Sequence, residues 1–241
     1  MLLLLGTAAC NKSVSTKPNT IVTGSVTTDD AADIVAGSLS SNSNGIASVA
    51  ADATVNASVI YGAHLKCGTV RSDTISRQGG SGTPFSFSYK LTYNFMVDCN
   101  SGSQPDSLSI NLTYSGSYSG PNMSSSNSGS SIFGVGGLLP TDTAFVINGE
   151  YKRAGSFSSK VDTADHGNSN VDIVISSLTL KKPGRMIESG TATFNITGTG
   201  PHKGSFSFTG NIVFNGDGTA TVTVNGTVYT INLENGDRHR H

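Results

Sequence analysis

Between Phe85 and Val97, a large apolar side chain occupies every second position, and polar side chains fill the positions between as far as Asn94. The apolar residues of this run are Phe85, Phe87, Tyr89, Leu91, Tyr93, Phe95 and Val97. Successive side chains of a β-strand point to opposite faces of a sheet, so this spacing places all of them on one face, which a helix would not do. Residues 108–118 repeat the pattern. Both segments predict long strands with one buried face. The alternative, an aromatic platform for sugars, fits the alternating polar positions less well.

The composition supports a β-rich domain and limits the classes of partner. Ser, Thr and Gly are abundant, and Thr suits a pleated strand whereas Ser and Gly suit turns. The formal net charge is -1 with 13% charged residues, so no overall field points to nucleic acid. An all-β chain of 241 residues is often a single domain.

The last third of the chain is interpreted as a meander of seven strands, at 143–151, 155–161, 171–180, 186–197, 204–214, 219–224 and 227–233. Asn225-Gly226 indicates a type I′ hairpin, which places Val222 opposite Tyr229. A type I turn with a bulge at 215–218 places Phe214 opposite Ala220. The two turns choose the same buried face, which consists of Phe206, Phe208, Ile212, Phe214, Val222, Tyr229 and Ile231.

One helix is expected ahead of the strands. Thr28 or Asp29 can cap it, acidic residues occupy its first turn, and an apolar face runs to Leu39. Residues 46–57 suggest a short second helix that continues into a strand at 59–66. Residues 115–137 are rich in Ser, Gly and Asn, which suggests either a mobile hairpin tip or a functional loop.

These patterns together predict a mainly β fold. We expect one large curved antiparallel sheet or unclosed barrel, connected as a meander, with a short N-terminal helix packed against it. A single domain would span residues 29–233, and residues 234–241 would form a disordered tail.

The N-terminal sequence resembles the lipobox of bacterial lipoproteins. An apolar run, 2–5, is followed by small residues that end at Cys10. The resemblance implies that residues 1–9 are a signal-peptide remnant, that Cys10 carries the lipid, and that 10–28 form a flexible tether. Because Asn11 rather than Asp follows the cysteine, it further implies anchoring in the outer membrane of the cell envelope. The alternative is an ordinary frayed apolar terminus.

The two remaining cysteines, Cys67 and Cys99, are expected to form a disulfide, as an exported protein with one pair commonly does. A metal site is the alternative, but His64 is the only further ligand nearby. A tight hairpin between 59–66 and 85–98 would hold the cysteines apart, so the bridge is expected to require a crossover by residues 68–83.

No motif of the chain names a reaction, a cofactor or a resident metal. Asp162, Asp165, His166 and Asp172 form the densest polar cluster and could bind a metal, although a solvated turn is the simpler interpretation. A hydrolase would have to use His64, His166 or His202 with one of many serines. We therefore expect no enzyme activity, no cofactor and no metal.

One charge pattern follows from the expected topology. Alternate turns of a meander lie at the same end of the sheet, so a turn at Lys152 and Arg153 would lie beside one carrying Lys181, Lys182 and Arg185. This basic rim could bind anionic lipid or acidic glycan. The alternative is that these side chains only solubilise the turns.

The expected function is that of a non-enzymatic binding or structural module anchored to a membrane through the lipid on Cys10. The second hypothesis is a carrier that holds an apolar ligand in an unclosed barrel, which resembles the lipoprotein-localisation carriers in architecture. A hydrolase is the third. A large apolar cavity between helix and sheet would favour the carrier, a filled core the structural module, and a polar cleft around His166 or His202 the enzyme.

The lipid anchor yields a direct prediction. Cys10→Ala should leave the protein soluble in the envelope fraction, because no acyl chain would hold it to a bilayer. Fractionation of cells that express the native and variant chains measures this. Membrane association that survives the substitution unchanged would contradict the anchor.

Overall fold

The computed structural model describes residues 26–80, 85–162, 165–200 and 204–241, in which helices come first and strands follow. Helix α1 spans Thr28–Leu39, a 3-10 turn spans Ser41–Ser43, and helix α2 spans Ile46–Gly62. The strands are β1 Val70–Gly79, β2 Ser86–Cys99, β3 Pro105–Ser119, β4 Met123–Gly136, β5 Ala144–Ser159, β6 His166–Lys181, β7 Ile187–Gly200, β8 Gly204–Phe214, β9 Thr219–Val224, β10 Thr227–Asn232 and β11 Arg238–Arg240.

The described strands form one antiparallel sheet in which sequence neighbours are also spatial neighbours, from β1 to β11. Strands β1 and β11 are its two edges, so the sheet is unclosed. This confirms the expected mainly β fold, with one large antiparallel meander and a short N-terminal helical region.

Turn chemistry fixes the register of the last strands as the sequence predicts. Val222 pairs with Tyr229 across the Asn225-Gly226 turn, and Phe214 pairs with Ala220 across the preceding turn. Asn225 and Gly226 have φ angles of 45° and 89°, the left-handed values that a type I′ turn requires. Of the seven side chains assigned to the core here, six are buried and Phe206 packs partly buried against them.

Strand β5 corrects the expected boundaries. Residues 143–151 and 155–161 are not two strands, because 144–159 is one continuous strand. Its inner face carries Gly149, Arg153 and Gly155 between apolar residues, so the hydrophobic pattern is interrupted while the strand is not. The backbone continues because β4 and β6 pair with it on both sides.

The Ser-rich segment likewise forms parts of two strands and not a loop. Most of residues 115–137 belong to the end of β3 and to β4, which pairs with β3 and β5 over nearly its full length. Small residues on its inner face make room for neighbouring rings. A Cβ atom at Gly129 would collide with the Tyr114 ring, whose hydroxyl donates to the Lys152 carbonyl at 2.9 Å. Strand β4 has few large apolar side chains because rings from neighbouring strands occupy the space on its inner face.

The helical region is longer than expected. The N-cap of α1 is Thr27, whose hydroxyl accepts from Asp30 N at 3.1 Å while the Asp30 carboxylate accepts from Thr27 N at 2.8 Å. Val26 is already buried, so the domain begins before residue 29. Residues 59–66 form no strand, because α2 continues to Gly62. The expected disordered tail contains β11, which pairs with β10.

The two helices fill the inner face of the sheet. Helix α1 contacts β5 and β9 to β11, whereas α2 contacts β3 to β5, so the sheet curves around them. The side chains between helices and strands form one continuous buried cluster. Two spaces along α1 measure about 20 and 10 Å³, room for about one water molecule each. Along α1, the space between helix and sheet is therefore closely packed.

One ion pair and two hydrogen bonds tie α2 to the first edge of the sheet. Asp52 of α2 forms an ion pair with Arg77 of β1 and accepts a hydrogen bond from the Tyr93 hydroxyl at 2.6 Å. Arg77 also donates to the Ser48 hydroxyl. Helix α2 is thereby fixed to the edge strand and to its neighbour.

A matching set ties α1 to the other edge. The buried Asp33 carboxylate pairs with Arg238 of β11, with an Nε to Oδ1 distance of 2.5 Å. Asp29 accepts from the Tyr229 hydroxyl at 2.6 Å. Burial raises the pKa of Asp33, and the hydrogen bond from Arg238 opposes that shift. A buried carboxylate without this guanidinium would be unfavourable, so the contact specifies how α1 docks.

Arg153 joins the middle of the sheet to the C-terminus of α1. It is only 6% exposed, lies 5.2 Å from the centre of the Tyr118 ring, and donates to the Gly37 carbonyl and, at 2.8 Å, to the Tyr89 hydroxyl. Gly37 lies in the last turn of α1, where carbonyls lack helical partners and the helix dipole favours a cation. Within the described residues, no carboxylate pairs with Arg153. The partial negative charge at the C-terminus of α1 stabilises the buried guanidinium in place of a carboxylate.

Among the described residues, neither α1 nor α2 combines the length and apolarity that crossing a bilayer requires.

The assignment of faces predicts a contrast in stability. Phe214→Ala should lower the free energy of unfolding by roughly 3–5 kcal/mol, because it leaves a cavity in the core. Thr223→Ala, on the outer face of β9, should change it by about 0.5 kcal/mol or less. Denaturant titration of both variants measures the difference, and equal effects would mean that the faces are assigned wrongly.

Candidate functional site

Cys67 and Cys99 form a disulfide, with Cα atoms 5.7 Å apart, which confirms the expected pairing. The expected crossover is wrong. Residues 70–79 form β1, which pairs directly with β2, and Gly68 N donates to the Val97 carbonyl at 2.8 Å. Both cysteines therefore lie at the open end of the β1–β2 hairpin. With a sequence separation of 32 residues, such a bridge stabilises a fold by about 3–4 kcal/mol.

Beside the disulfide is a cleft of about 710 Å³ at the end of α2. We call this space the end cleft. Its lining comes from three parts of the chain, residues 60–67, 103–105 and 138–140. Apolar side chains make up most of its walls: Ile60, Tyr61, Leu65, Pro105, Leu138, Leu139 and Pro140. A concave site of this size with a few polar groups is the usual form of a small-molecule site.

The first wall is the C-terminus of α2 and the segment that follows. His64 takes a left-handed conformation with φ 51°, which ends the helix and turns the chain toward Cys67. Ile60 is buried, while Tyr61 and Leu65 are half-buried against the core. The disulfide then fixes this segment to the end of β2. The wall is therefore held at both of its ends.

The opposite walls are two turns held by polar contacts. Asn100 Oδ1 accepts from Gly102 N at 2.9 Å and from Gln104 N at 3.1 Å, which shapes the β2–β3 turn. In the β4–β5 turn, Leu139 N donates to the Asp142 carboxylate at 3.0 Å, and the Leu139 carbonyl accepts from Lys182 Nζ at 2.8 Å. The apolar side chains of both turns are thereby placed before any ligand arrives.

The polar groups of the end cleft favour an anion. Lys66 and His64 line it together with Ser103 and Gln104, and none of the described lining residues is Asp or Glu. Lys66 is exposed, so its ammonium group remains solvated beside the apolar walls. The arrangement combines an apolar space with positive charge and hydrogen-bond donors.

The basic rim does not exist as one surface. Lys152 and Arg153 lie inside β5, and Arg153 is buried. Lys181, Lys182 and Arg185 lie at the β6–β7 turn, where Lys181 pairs with Ala144. Along β5, the two groups are about 26 Å apart at about 3.3 Å per residue. The expected turn at Lys152 and Arg153 was wrong because the buried Arg153 was interpreted as a surface residue.

The cations at these positions are also engaged individually. Lys152 Nζ lies 2.8 Å from Glu150 and 3.9 Å from Asp172 on the outer face. Lys182 lies 5.1 Å from the centre of the Phe145 ring, in addition to its bond to Leu139. Because Lys152 and Lys182 already have these partners, less of their positive charge is available to a bound anion.

The densest polar cluster of the sequence is spread out in the fold. Asp162 and Asp165 form the β5–β6 turn, whereas Asp172 lies within β6 opposite Lys152. His166 is exposed at the start of β6, and His202 lies outside the described residues. Among the described residues, no three His, Cys, Asp or Glu side chains are grouped as metal ligands. Cys10 also lies outside the described residues.

Comparison of the chain with known protein families, with curated proteins and with solved structures finds no match. Only the geometry of the candidate site therefore indicates what it could bind.

Sequence reasoning missed the end cleft. Its lining segments are far apart in the chain, and none carries a motif. The one available signal was the proximity of His64 to Cys67, which the sequence suggested only as an alternative metal site.

Proposed function

We propose that this protein is a lipid-anchored envelope protein that binds an amphiphile, a molecule with an apolar chain and an anionic head, in the end cleft. The anchor is the lipid on Cys10, as the lipobox-like sequence suggests. The observation that supports this proposal most directly is the end cleft, an apolar space of about 710 Å³ with Lys66 and His64 in its lining.

The packed interior supports a site at the end of the sheet over one inside it. A ligand between helices and sheet would need the volume that α1 and α2 occupy, and the gaps along α1 are only about 20 and 10 Å³. Opening that space would expose a large apolar surface and break the contacts of Asp33 and Arg153. The end cleft requires neither change.

Charge and shape together suggest the ligand class. The apolar walls suit an alkyl chain, since each buried methylene contributes about 0.8 kcal/mol. The ammonium of Lys66 suits a carboxylate or phosphate head, and Ser103 and Gln104 add hydrogen-bonding groups. A fatty acid is the simplest molecule with this combination.

An anchor at Cys10 would keep the cleft close to a source of such molecules. Only residues 11–25 separate Cys10 from the first described residue, Val26. A chain of that length reaches at most about 55 Å. The domain would then remain near a membrane from which amphiphiles dissociate.

Titration of the full chain carrying Cys10→Ala with hexadecanoate, followed by calorimetry, tests the proposal without detergent. We expect saturable binding of one molecule per chain. Leu65→Asp should abolish it by placing a charge in the apolar wall. Val213→Asp puts the same charge on an exposed apolar position of β8 and should leave binding unchanged.

The head-group assignment needs its own comparison. Lys66→Ser should weaken hexadecanoate binding by about tenfold, the effect of losing one charge-assisted contact. Binding of hexadecanol, which has no charge, should not change. Absence of saturable binding, or equal losses in Leu65→Asp and Val213→Asp, would contradict the proposed site.

A further inference from the structure

A second concave surface lies on the outer face of the sheet, across strands β4 to β7. It is a shallow depression of about 570 Å³, here called the outer basin. Two neighbouring rows of cross-strand partners form it. One row is Ser128, Ala154, Asn170 and Thr197, and the other is Ser130, Lys152, Asp172 and Asn195.

The outer basin exists because its floor is small and its rim is polar. Ala154 and its cross-strand partner Ser128 have short side chains and leave space beside the longer side chains of Lys152, Asn170 and Asp172. Around them stand the amides of Asn170 and Asn195 and the hydroxyl of Thr197. Amides both donate and accept hydrogen bonds, as do hydroxyls, so this rim matches a ligand that is rich in hydroxyl groups.

The rows of residues on either side of the outer basin also suit a saccharide. On one side, Ser126, Ser156, Asn168 and Thr199 continue the polar surface as cross-strand partners. On the other side, Ile132 and Val174 flank Glu150 and are 60% and 49% exposed. A pyranose ring has polar hydroxyl edges and an apolar C–H face, and this surface offers a partner for each.

The charged groups of the outer basin favour a neutral ligand over an acidic one. Two cations are among the described lining residues, but Arg153 is buried on the inner face, so only Lys152 presents its charge on the outer face. Lys152 lies 2.8 Å from Glu150 and 3.9 Å from Asp172. The hydrogen bond from Lys152 lowers the pKa of Glu150, whereas burial raises that of Asp172. Two carboxylates already lie beside the one ammonium group, so a bound anion would find no unpaired positive charge here.

Asp172 contributes a carboxylate to the outer basin. Its side chain is 42% exposed, and its Oδ2 lies 3.9 Å from Lys152 Nζ. A carboxylate oxygen accepts hydrogen bonds, so a ligand hydroxyl can donate to the exposed part of this group. The four strands that carry the basin are paired without interruption at these rows, so its groups are held in place before binding.

We propose that the outer basin binds a neutral saccharide, with Asp172, Asn170 and Asn195 bonding its hydroxyl groups above the Ala154 floor. This site is independent of the end cleft, since the two share no lining residue. It replaces the acidic-glycan interpretation of the basic rim with a neutral ligand at a different surface.

The full chain carrying Cys10→Ala, applied to an array of neutral and acidic oligosaccharides, tests this inference. We expect saturable binding to a neutral oligosaccharide and weaker binding to its uronic-acid counterpart. Ala154→Ile should weaken binding by about tenfold or more by filling the floor, and Asp172→Ala should do so by removing an acceptor.

The matched control is Asn94→Ile, which adds the same side chain on the outer face of β2, away from the outer basin. It should bind like the native chain, and thermal unfolding confirms that each variant is folded. Absence of binding to every neutral oligosaccharide would overturn the inference. So would equal binding by Ala154→Ile and Asn94→Ile, or a preference for the acidic oligosaccharides.

Discussion

An unclosed sheet with an apolar inner face must be covered, and the covering by α1 and α2 is the constraint on which the rest of this structure depends. Full closure into a barrel would remove the edges, but β1 and β11 do not pair. The helices take the place of closure: Asp52 joins α2 to β1, and Asp33 joins α1 to β11. Arg153 holds the end of α1 over the centre of the sheet. The same few polar contacts therefore position the helices and secure both edges.

Both proposed sites follow from this construction. Since the helices use the inner face, ligands are left with the rim and the outer face. The end cleft forms where α2 ends against the β2–β3 and β4–β5 turns, and the disulfide prevents that wall from separating. The outer basin forms where small residues meet on neighbouring strands, at Ser128 and Ala154. The proposed amphiphile and the proposed saccharide would thus bind to different parts of one scaffold.

The sequence predicted those parts of the fold that depend on local periodicity or turn chemistry. The strand at 85–97 and the register at Asn225-Gly226 are examples, because side-chain alternation and a φ-restricted turn act within a few residues. It failed at β4 and β5, where tertiary contacts decide. Arg153 looks like a turn residue until its partner, the Gly37 carbonyl more than a hundred positions earlier, is known. Ser and Gly in β4 look like a loop until Tyr114 is seen to occupy the space above Gly129.

Sites were less predictable than strands for the same physical reason. A charge pattern inferred from topology fails as soon as one turn is misplaced, as Lys152 and Arg153 illustrate. A cleft made by three distant segments leaves no spacing signal in any of them. The disulfide was predictable because the expected lipid on Cys10 leaves one pair of cysteines and the expected export favours a bridge between them, although the path of the chain between the cysteines was not.

Amide hydrogen exchange of the native protein tests the central claim, that the helices are a permanent part of the core. If α1 and α2 are fixed to both edges and to Arg153, their slowest amides should exchange with the same opening free energy as those of the central strands β3 to β7. Helices that exchange orders of magnitude faster than these strands would contradict the account. They would mean that the inner face opens, and that the ligand site lies beneath the helices instead of beside them.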